Sequence, residues 1–145
     1  MLHERLALVP ITEEAAQALS PGDRSIISLL ADQPLPAALT ELLRRTSREG
    51  SIAYVEADFF GGIGRQAAVL WQHGEIALGP LVDPEPKKLF RRRRVSKGAF
   101  NQVLRRMGVW VAPGQLDEFA TVGLGRHRAT EEWLDDAEAP GARSA

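Results

Sequence analysis

The sequence predicts an α+β fold, with an antiparallel sheet of three to four strands and helices packed mainly on one face. Three segments with strand composition follow one another from residue 51 to residue 78, and the turns between them hold only two to four residues. Such turns are too short for the crossover that parallel neighbours need, so the strands must be antiparallel. Segments with helical spacing lie on either side of this block.

The predicted strands are bounded by glycine-containing turns. Gly61–Gly64 separates the first two, and His73-Gly74 separates the second from the third. An apolar run ended by Pro10 gives a candidate for a fourth strand. The strand segments are Arg5–Val9, Ser51–Phe60, Arg65–Gln72 and Glu75–Leu78. Ser25–Leu30 is a strand or a buried segment, and Val109–Val111 is a last short strand or a hydrophobic tie across the core.

Two amphipathic helices are predicted from apolar residues that recur every three to four positions. The first helix begins near Pro36 and carries Leu35, Leu39, Leu42 and Leu43. The second follows a capping Ser96, ends at Gly108 and carries Phe100, Val103, Leu104 and Met107. We expect this second stripe to face the sheet and to share one core with Val55, Val69 and Trp71.

Shorter helices are predicted after Thr12, around Asp117–Ala120 and around Thr130–Asp135. No internal repeat or linker divides the chain, so residues 1–136 are expected to form a single domain. Residues 137–145 (AEAPGARSA) have little to bury and are expected to form a mobile C-terminal tail.

The composition narrows the chemistry that the chain can perform. The sequence has no cysteine, which excludes disulfides, zinc-thiolate sites and thiol nucleophiles. It shows neither a signal-peptide pattern at its start nor an apolar run long enough to span a bilayer, so we expect a cytoplasmic protein. No motif for a metal or a cofactor is present, and we expect none to be required.

The stretch YVEADFFGGIG raises the question of a catalytic strand followed by a phosphate-binding loop. Glu56 and Asp58 lie two residues apart, so they share one face of a strand, as paired carboxylates for acid-base catalysis or cation binding do. The glycines match neither the Walker motif nor the dinucleotide fingerprint, because an apolar strand-like run follows them rather than a helix. The pattern therefore favours a hairpin, with the carboxylates on a solvent-facing surface.

Other candidates for chemistry are His127 and a run of basic residues. His127 stands between Arg126 and Arg128, and a site that pairs it with Glu56 or Asp58 would require the fold to bring them together. From Pro86 to Arg106 there are nine basic residues and no acidic one. Such a run is typical of a nucleic-acid site, of a loop that binds an acidic protein surface, or of a solvated loop.

Three blocks of the sequence resemble small bacterial immunity proteins of contact-dependent or polymorphic toxin systems. The blocks are AYVEADFFGGIGRQAAVLW, GAFNQVLRRMGV and DEFATVGLGRHRATEEWL, within residues 51–134. The resemblance implies a cytoplasmic protein that binds and blocks a cognate toxin. It transfers no catalytic residues, because such a protein needs none.

The sequence thus favours a non-enzymatic protein that binds a toxin-like protein partner. Two alternatives stay open: a small enzyme that uses Glu56, Asp58 and His127, and a nucleic-acid-binding accessory protein. No catalytic or metal-binding residue is assigned. The candidate binding residues are Glu56, Asp58, Phe60, Arg65, Arg91, Arg92, Arg93, Arg94, Arg126, His127 and Arg128.

Overall fold

The computed structural model describes residues 6–19, 28–58, 64–83 and 98–138. Three strands form one antiparallel sheet in the order β1-β2-β3, with β1 at Ile52–Asp58, β2 at Arg65–Gln72 and β3 at Glu75–Val82. The described helices are α1 (Glu13–Leu19), α2 (Ala37–Thr46), α3 (Ala99–Arg106), α4 (Glu118–Val122) and α5 (Thr130–Glu138). The predicted α+β fold with an antiparallel sheet is confirmed.

The central strand β2 is buried on both faces, and its five apolar residues are at most 3% exposed. Successive side chains of a strand point to opposite faces. Ala67, Val69 and Trp71 therefore lie on one face, and Ala68 and Leu70 lie on the other. This two-sided burial explains why the strand shows a continuous apolar run instead of alternation.

One face of the sheet is covered by α2. Leu39 and Leu43 of this helix are buried against the sheet, as their spacing predicted. A turn at residues 28–32 adds Leu29 to this layer. We call the buried apolar residues on this face the α2-side core; they are Leu29, Leu39, Leu43, Tyr54, Ala67, Val69 and Trp71.

The opposite face is covered by α3, so the helices are divided between the two faces. Phe100 and Val103 pack with Ala68 and Leu70, and Val55 borders the same cluster. We call this cluster the α3-side core. The expectation that Val69 and Trp71 would join Val55 beside this helix is wrong, because strand parity sends them to the other face.

The start of α3 is capped from the sheet. Gly98 stands at the N-cap position, and the first helical residue is Ala99. The Ala99 N–H donates to Asp83 Oδ1 at 2.9 Å, and the Phe100 N–H donates to Gln66 Oε1 at 3.3 Å. The predicted cap, Ser96, lies outside the described residues.

Polar contacts join α3 to α4. The Arg105 guanidinium donates to Glu118 Oε1, with its Nε at 2.6 Å, and Glu118 is only 3% exposed. Asn101 accepts from the Phe119 N–H at 2.8 Å, and Asp117 caps α4 through the Ala120 N–H. A buried carboxylate is tolerated here because it is paired and hydrogen-bonded.

The N-terminal segment does not form the predicted strand. Residues 6–12 have no regular structure. Leu6 and Leu8 pack with Leu104 and Val122 on the α3 side, whereas Ile11 packs against the α2-side core. The segment therefore crosses from the α3 side of the sheet to the α2 side. Its apolar side chains pack on both of these sides.

The predicted turn between β2 and β3 is confirmed, whereas the predicted end of β3 at Leu78 is wrong, because the strand continues through Gly79 and Pro80 and pairs with β2 as far as Val82. His73 and Gly74 both have positive φ, 55° and 82°, as a two-residue type I′ hairpin requires. The α5 helix continues to Glu138, two residues into the segment predicted as a tail; residues 139–145 lie outside the described part. None of the helices in the described ranges is long and apolar enough to cross a membrane.

Leu70 provides a test of the two-sided core. Its side chain is fully buried at the centre of β2, so Leu70→Ala is expected to lower the free energy of unfolding by about 2–5 kcal/mol. Leu116→Ala is the matched control, because Leu116 is 96% exposed. This substitution should change the free energy of unfolding by less than about 0.5 kcal/mol. Equal denaturant midpoints for the two variants would contradict this packing.

Candidate functional site: a groove along the edge of strand β1

A groove of about 1570 Å³ runs along the outer edge of the sheet. One wall is formed by Ile52–Ala57, six consecutive residues of β1. Because neighbouring residues of a strand point to opposite faces, this wall is the edge of the strand rather than either face. The opposite wall is the N-terminal segment Ala7–Thr12, with part of α1 beyond it.

The sides of the groove are apolar and come from both layers of helices. Leu39, Leu42 and Leu43 of α2 line one side. The other side is formed by Phe100, Phe119, Leu124 and Trp133. Leu42 belongs to the predicted helix stripe but is 38% exposed, because it faces the groove instead of the sheet.

Glu56 lines the groove, but its carboxylate is engaged in holding the fold. Its Oε1 accepts from Ser28 Oγ at 2.6 Å, and its Oε2 accepts from the Leu29 N–H at 2.8 Å. Ser28 Oγ in turn accepts from the Ala31 N–H at 3.0 Å. Glu56 therefore fastens the turn at residues 28–32 to β1, a connection between segments 27 or more residues apart.

Tyr54 is the next polar side chain on the same face of β1. Burial of its ring raises the pKa of the phenol, and the charge of Glu56 and a hydrogen bond to that carboxylate raise it further. The Glu56 carboxylate thus lies beside the Tyr54 phenol while it accepts from two donors of the turn at residues 28–32. Ionised carboxylates are held most strongly by several donors of this kind.

Asp58 is separate from Glu56 in its surroundings, although the two share a strand face. It is exposed at the end of β1, where it lies directly opposite Arg65 of β2. The groove wall ends at Ala57, so neither Asp58 nor Arg65 contributes to it. The structure thus does not assemble the two carboxylates into one site, and no group of three potential metal ligands occurs in the part of the chain that the structure describes.

The antiparallel pairing of β1 with β2 answers the question raised by the glycine-rich stretch. Residues 59–64 connect two neighbouring antiparallel strands, which is a hairpin and not a loop that opens a helix. Phe60 and the basic residues Arg91, Arg92, Arg93 and Arg94 lie outside the described residues.

His127 lines the groove from the opposite side, within a cluster at the start of α5. Its Nε2 lies 2.9 Å from Asp136 Oδ2, and its ring meets Trp133 edge-on with centroids 4.7 Å apart. The Arg126 guanidinium lies 5.1 Å above the Trp133 ring and 3.4 Å from Asp136. The hydrogen bond from His127 and the nearby cations lower the pKa of Asp136.

Arg128 also lines the groove, and its backbone helps to begin α5. Glu132 Oε2 accepts from the Arg128 N–H at 2.9 Å and from the Ala129 N–H at 3.1 Å, which lowers the pKa of Glu132. These contacts resemble the reciprocal half of a capping box. The groove therefore brings Glu56 together with His127 and Arg128 from a distant part of the sequence.

A scan against protein-family models, a search of curated proteins and a search of solved structures each returned no match.

Substitution of Glu56 and of Asp58 tests whether each carboxylate stabilises the fold. Glu56→Gln is expected to destabilise the fold by about 1–3 kcal/mol, because the amide cannot satisfy the same donors. Asp58→Asn is the control, and it should cost less than about 1 kcal/mol because it weakens only an exposed pairing. Denaturant melts of both variants provide the measurement. An Asp58 variant as unstable as the Glu56 variant would contradict these assignments.

Tyr54 is the only tyrosine in the chain, so its ionisation can be followed by absorbance alone. The folded-state pKa is raised above the ordinary value of about 10, so the folded state holds the proton more tightly than the unfolded state. The stabilisation is present in full below about pH 10 and is lost as the pH rises above that value. We expect tyrosinate absorbance to appear only above the ordinary range, together with unfolding.

Tyr54→Phe removes this titration and serves as the control for that experiment. Its free energy of unfolding should fall less steeply above about pH 10 than that of the parent chain. A tyrosinate signal at the ordinary pKa in the folded protein would show that Tyr54 is not buried beside Glu56.

Proposed function

We propose that this chain is a non-enzymatic binding protein of the immunity type, which binds and neutralises a cognate bacterial toxin in the cytoplasm. The groove along β1 is the contact surface in this proposal. The observation that carries it is the combination of apolar walls with an acidic residue, Glu56, each of whose oxygens already accepts from a donor within the chain.

The engagement of Glu56 argues for binding and against catalysis in the groove. A general base must have an oxygen or nitrogen within hydrogen-bond reach of the proton that it removes. Glu56 uses both oxygens to hold the turn at residues 28–32. An apolar groove with few charged groups at its border is instead typical of a surface that binds another polypeptide.

A small enzyme is the second candidate, and the His127–Asp136 pair supports it. A histidine whose ring nitrogen is held by a carboxylate is a recurring catalytic element, and this pair borders the groove. A nucleic-acid-binding role rests on Arg91–Arg94 and predicts binding that weakens steeply with salt, with a slope of roughly −0.9 per phosphate contacted.

The binding proposal is tested by expressing each gene that neighbours this one and taking as the probe a product that arrests bacterial growth unless this chain is co-expressed. Leu42→Arg places a charge in the groove and should weaken binding by about tenfold or more, with loss of protection when the two genes are expressed together. Ile76→Arg is the control, since Ile76 is also exposed but lies on β3, outside the groove. Calorimetric titration measures both affinities.

Two results would overturn this proposal. Unchanged affinity and protection in the Leu42 variant would exclude the groove as the contact surface. A turnover of small substrates that is lost in His127→Ala, with no effect of Leu42→Arg, would favour the enzyme instead.

A further inference from the structure

The loop between α3 and α4 exposes large apolar side chains. Trp110 is 78% exposed, Leu116 is 96% exposed and Val111 is 43% exposed. We call residues 109–116 the knob. Exposed tryptophan and leucine on one short loop are characteristic of binding surfaces, because tryptophan is among the residues most enriched at interface hot spots.

Hydrogen bonds fix the backbone of the knob. The exposure of its side chains is therefore a feature of an ordered loop. The Val109 N–H donates to the Leu104 carbonyl at 3.0 Å, and the Ala112 N–H donates to Thr121 Oγ1 at 3.1 Å. The Gln115 N–H closes a turn onto the Ala112 carbonyl at 3.0 Å. Pro113 and Gly114, with φ of 83°, suit the two central positions of a type II turn.

We propose that the knob of one copy inserts Trp110 into the β1 groove of a second copy. Both surfaces are apolar, and no residue of the knob lines the groove of its own chain. Each knob-in-groove contact joins two different surfaces, and a two-fold axis that relates the copies repeats this contact, which makes the whole interface isologous. If both copies exchange knobs, the pair closes on itself and Trp110 contributes to the groove of each partner.

The charges beside the two surfaces are complementary. The acids that follow the knob are engaged internally: Asp117 caps α4, and Glu118 is buried against Arg105. The exposed charge that remains at the base of the knob is the cation Arg106. The α1 end of the groove carries exposed Glu13, so the knob is oriented with Arg106 towards that end and away from Arg128.

The available area is of the size that a specific dimer needs. An aromatic side chain buries about 150–250 Å², and two exchanged knobs also cover Leu116, Val111 and the groove walls that they contact. The total reaches roughly the 1,200 Å² at which stable interfaces begin. This contact requires no toxin, so it goes beyond the proposed function and is tested separately.

Sedimentation velocity over a concentration series tests the proposal with the full chain alone. The parent protein should show a mass that rises above that of the monomer with concentration. Trp110→Ala and Leu42→Arg should each raise the dissociation constant by about tenfold or more. Ile76→Arg is the control and should associate like the parent. Circular dichroism verifies that each variant is folded.

Mixing the two variants identifies the contact. The Trp110 variant keeps an intact groove, and the Leu42 variant keeps an intact knob, so the mixture retains one complete knob-in-groove contact. It should therefore associate more strongly than either variant alone. A mixture no stronger than its components, or a parent chain that stays monomeric at every concentration, would overturn the proposal.

The outcome is independent of the toxin experiment. Trp110→Ala should leave toxin affinity intact or increase it, because it removes a competitor for the groove. Loss of toxin binding in this variant, with unchanged sedimentation, would show that the knob contacts the toxin and not a second copy.

Discussion

The fold depends on one constraint, which is that β2 must be buried on both faces. Its five consecutive apolar residues place side chains on both sides of the sheet. Leaving either set exposed to water would forfeit the free energy that burial of apolar surface provides. The chain meets this requirement with α2 on one face and α3 on the other. The neighbouring strands then lie at the two edges of a three-stranded sheet, and the layers of helices on either side turn the β1 edge into the bottom of a groove.

The connections between layers are polar and come from distant parts of the sequence. Glu56 holds the turn of the α2-side layer, and Asp83 and Gln66 hold the start of α3. A Cβ at Gly98 would lie 2.8 Å from Gln66 Oε1, so a larger residue there would move the Gln66 side chain away from the Phe100 N–H. Each contact satisfies a donor that would otherwise lose its partner on burial. The acidic residue that most resembled a catalytic group in the sequence therefore belongs to the scaffold.

The sequence predicted the elements whose signals are local. Short turns identified the antiparallel sheet, leucine spacing identified α2, and Gly108 marked the end of α3. Which face each helix covers is not a local property, since it depends on where the intervening chain crosses the sheet. For the same reason Arg5–Val9 had the composition of a strand, yet Leu6 and Leu8 pack with Leu104 and Val122 of the helices and do not pair with a strand.

The candidate site was predicted by residue type but not by location. Glu56, His127 and Arg128 were selected for their chemistry, and only the fold places them around the same groove. Leu42 fits a helix stripe and Trp133 lies in a predicted short helix, so neither gave a separate signal. That they line a groove is a property of the packed structure.

An apolar groove and an apolar knob on one chain impose a condition on function. Among the residues that the structure describes, Trp110, Leu116 and Leu42 are exposed, so an apolar partner gains from covering them. Under the two proposals, a toxin and a second copy compete for the groove, and mass action decides between them. Because the knob has a fixed backbone, it loses little conformational freedom on insertion, which favours the contact between copies when the chain is concentrated. Under the two proposals, a toxin displaces the knob of a second copy when the toxin concentration divided by its dissociation constant exceeds the same ratio for the self-contact.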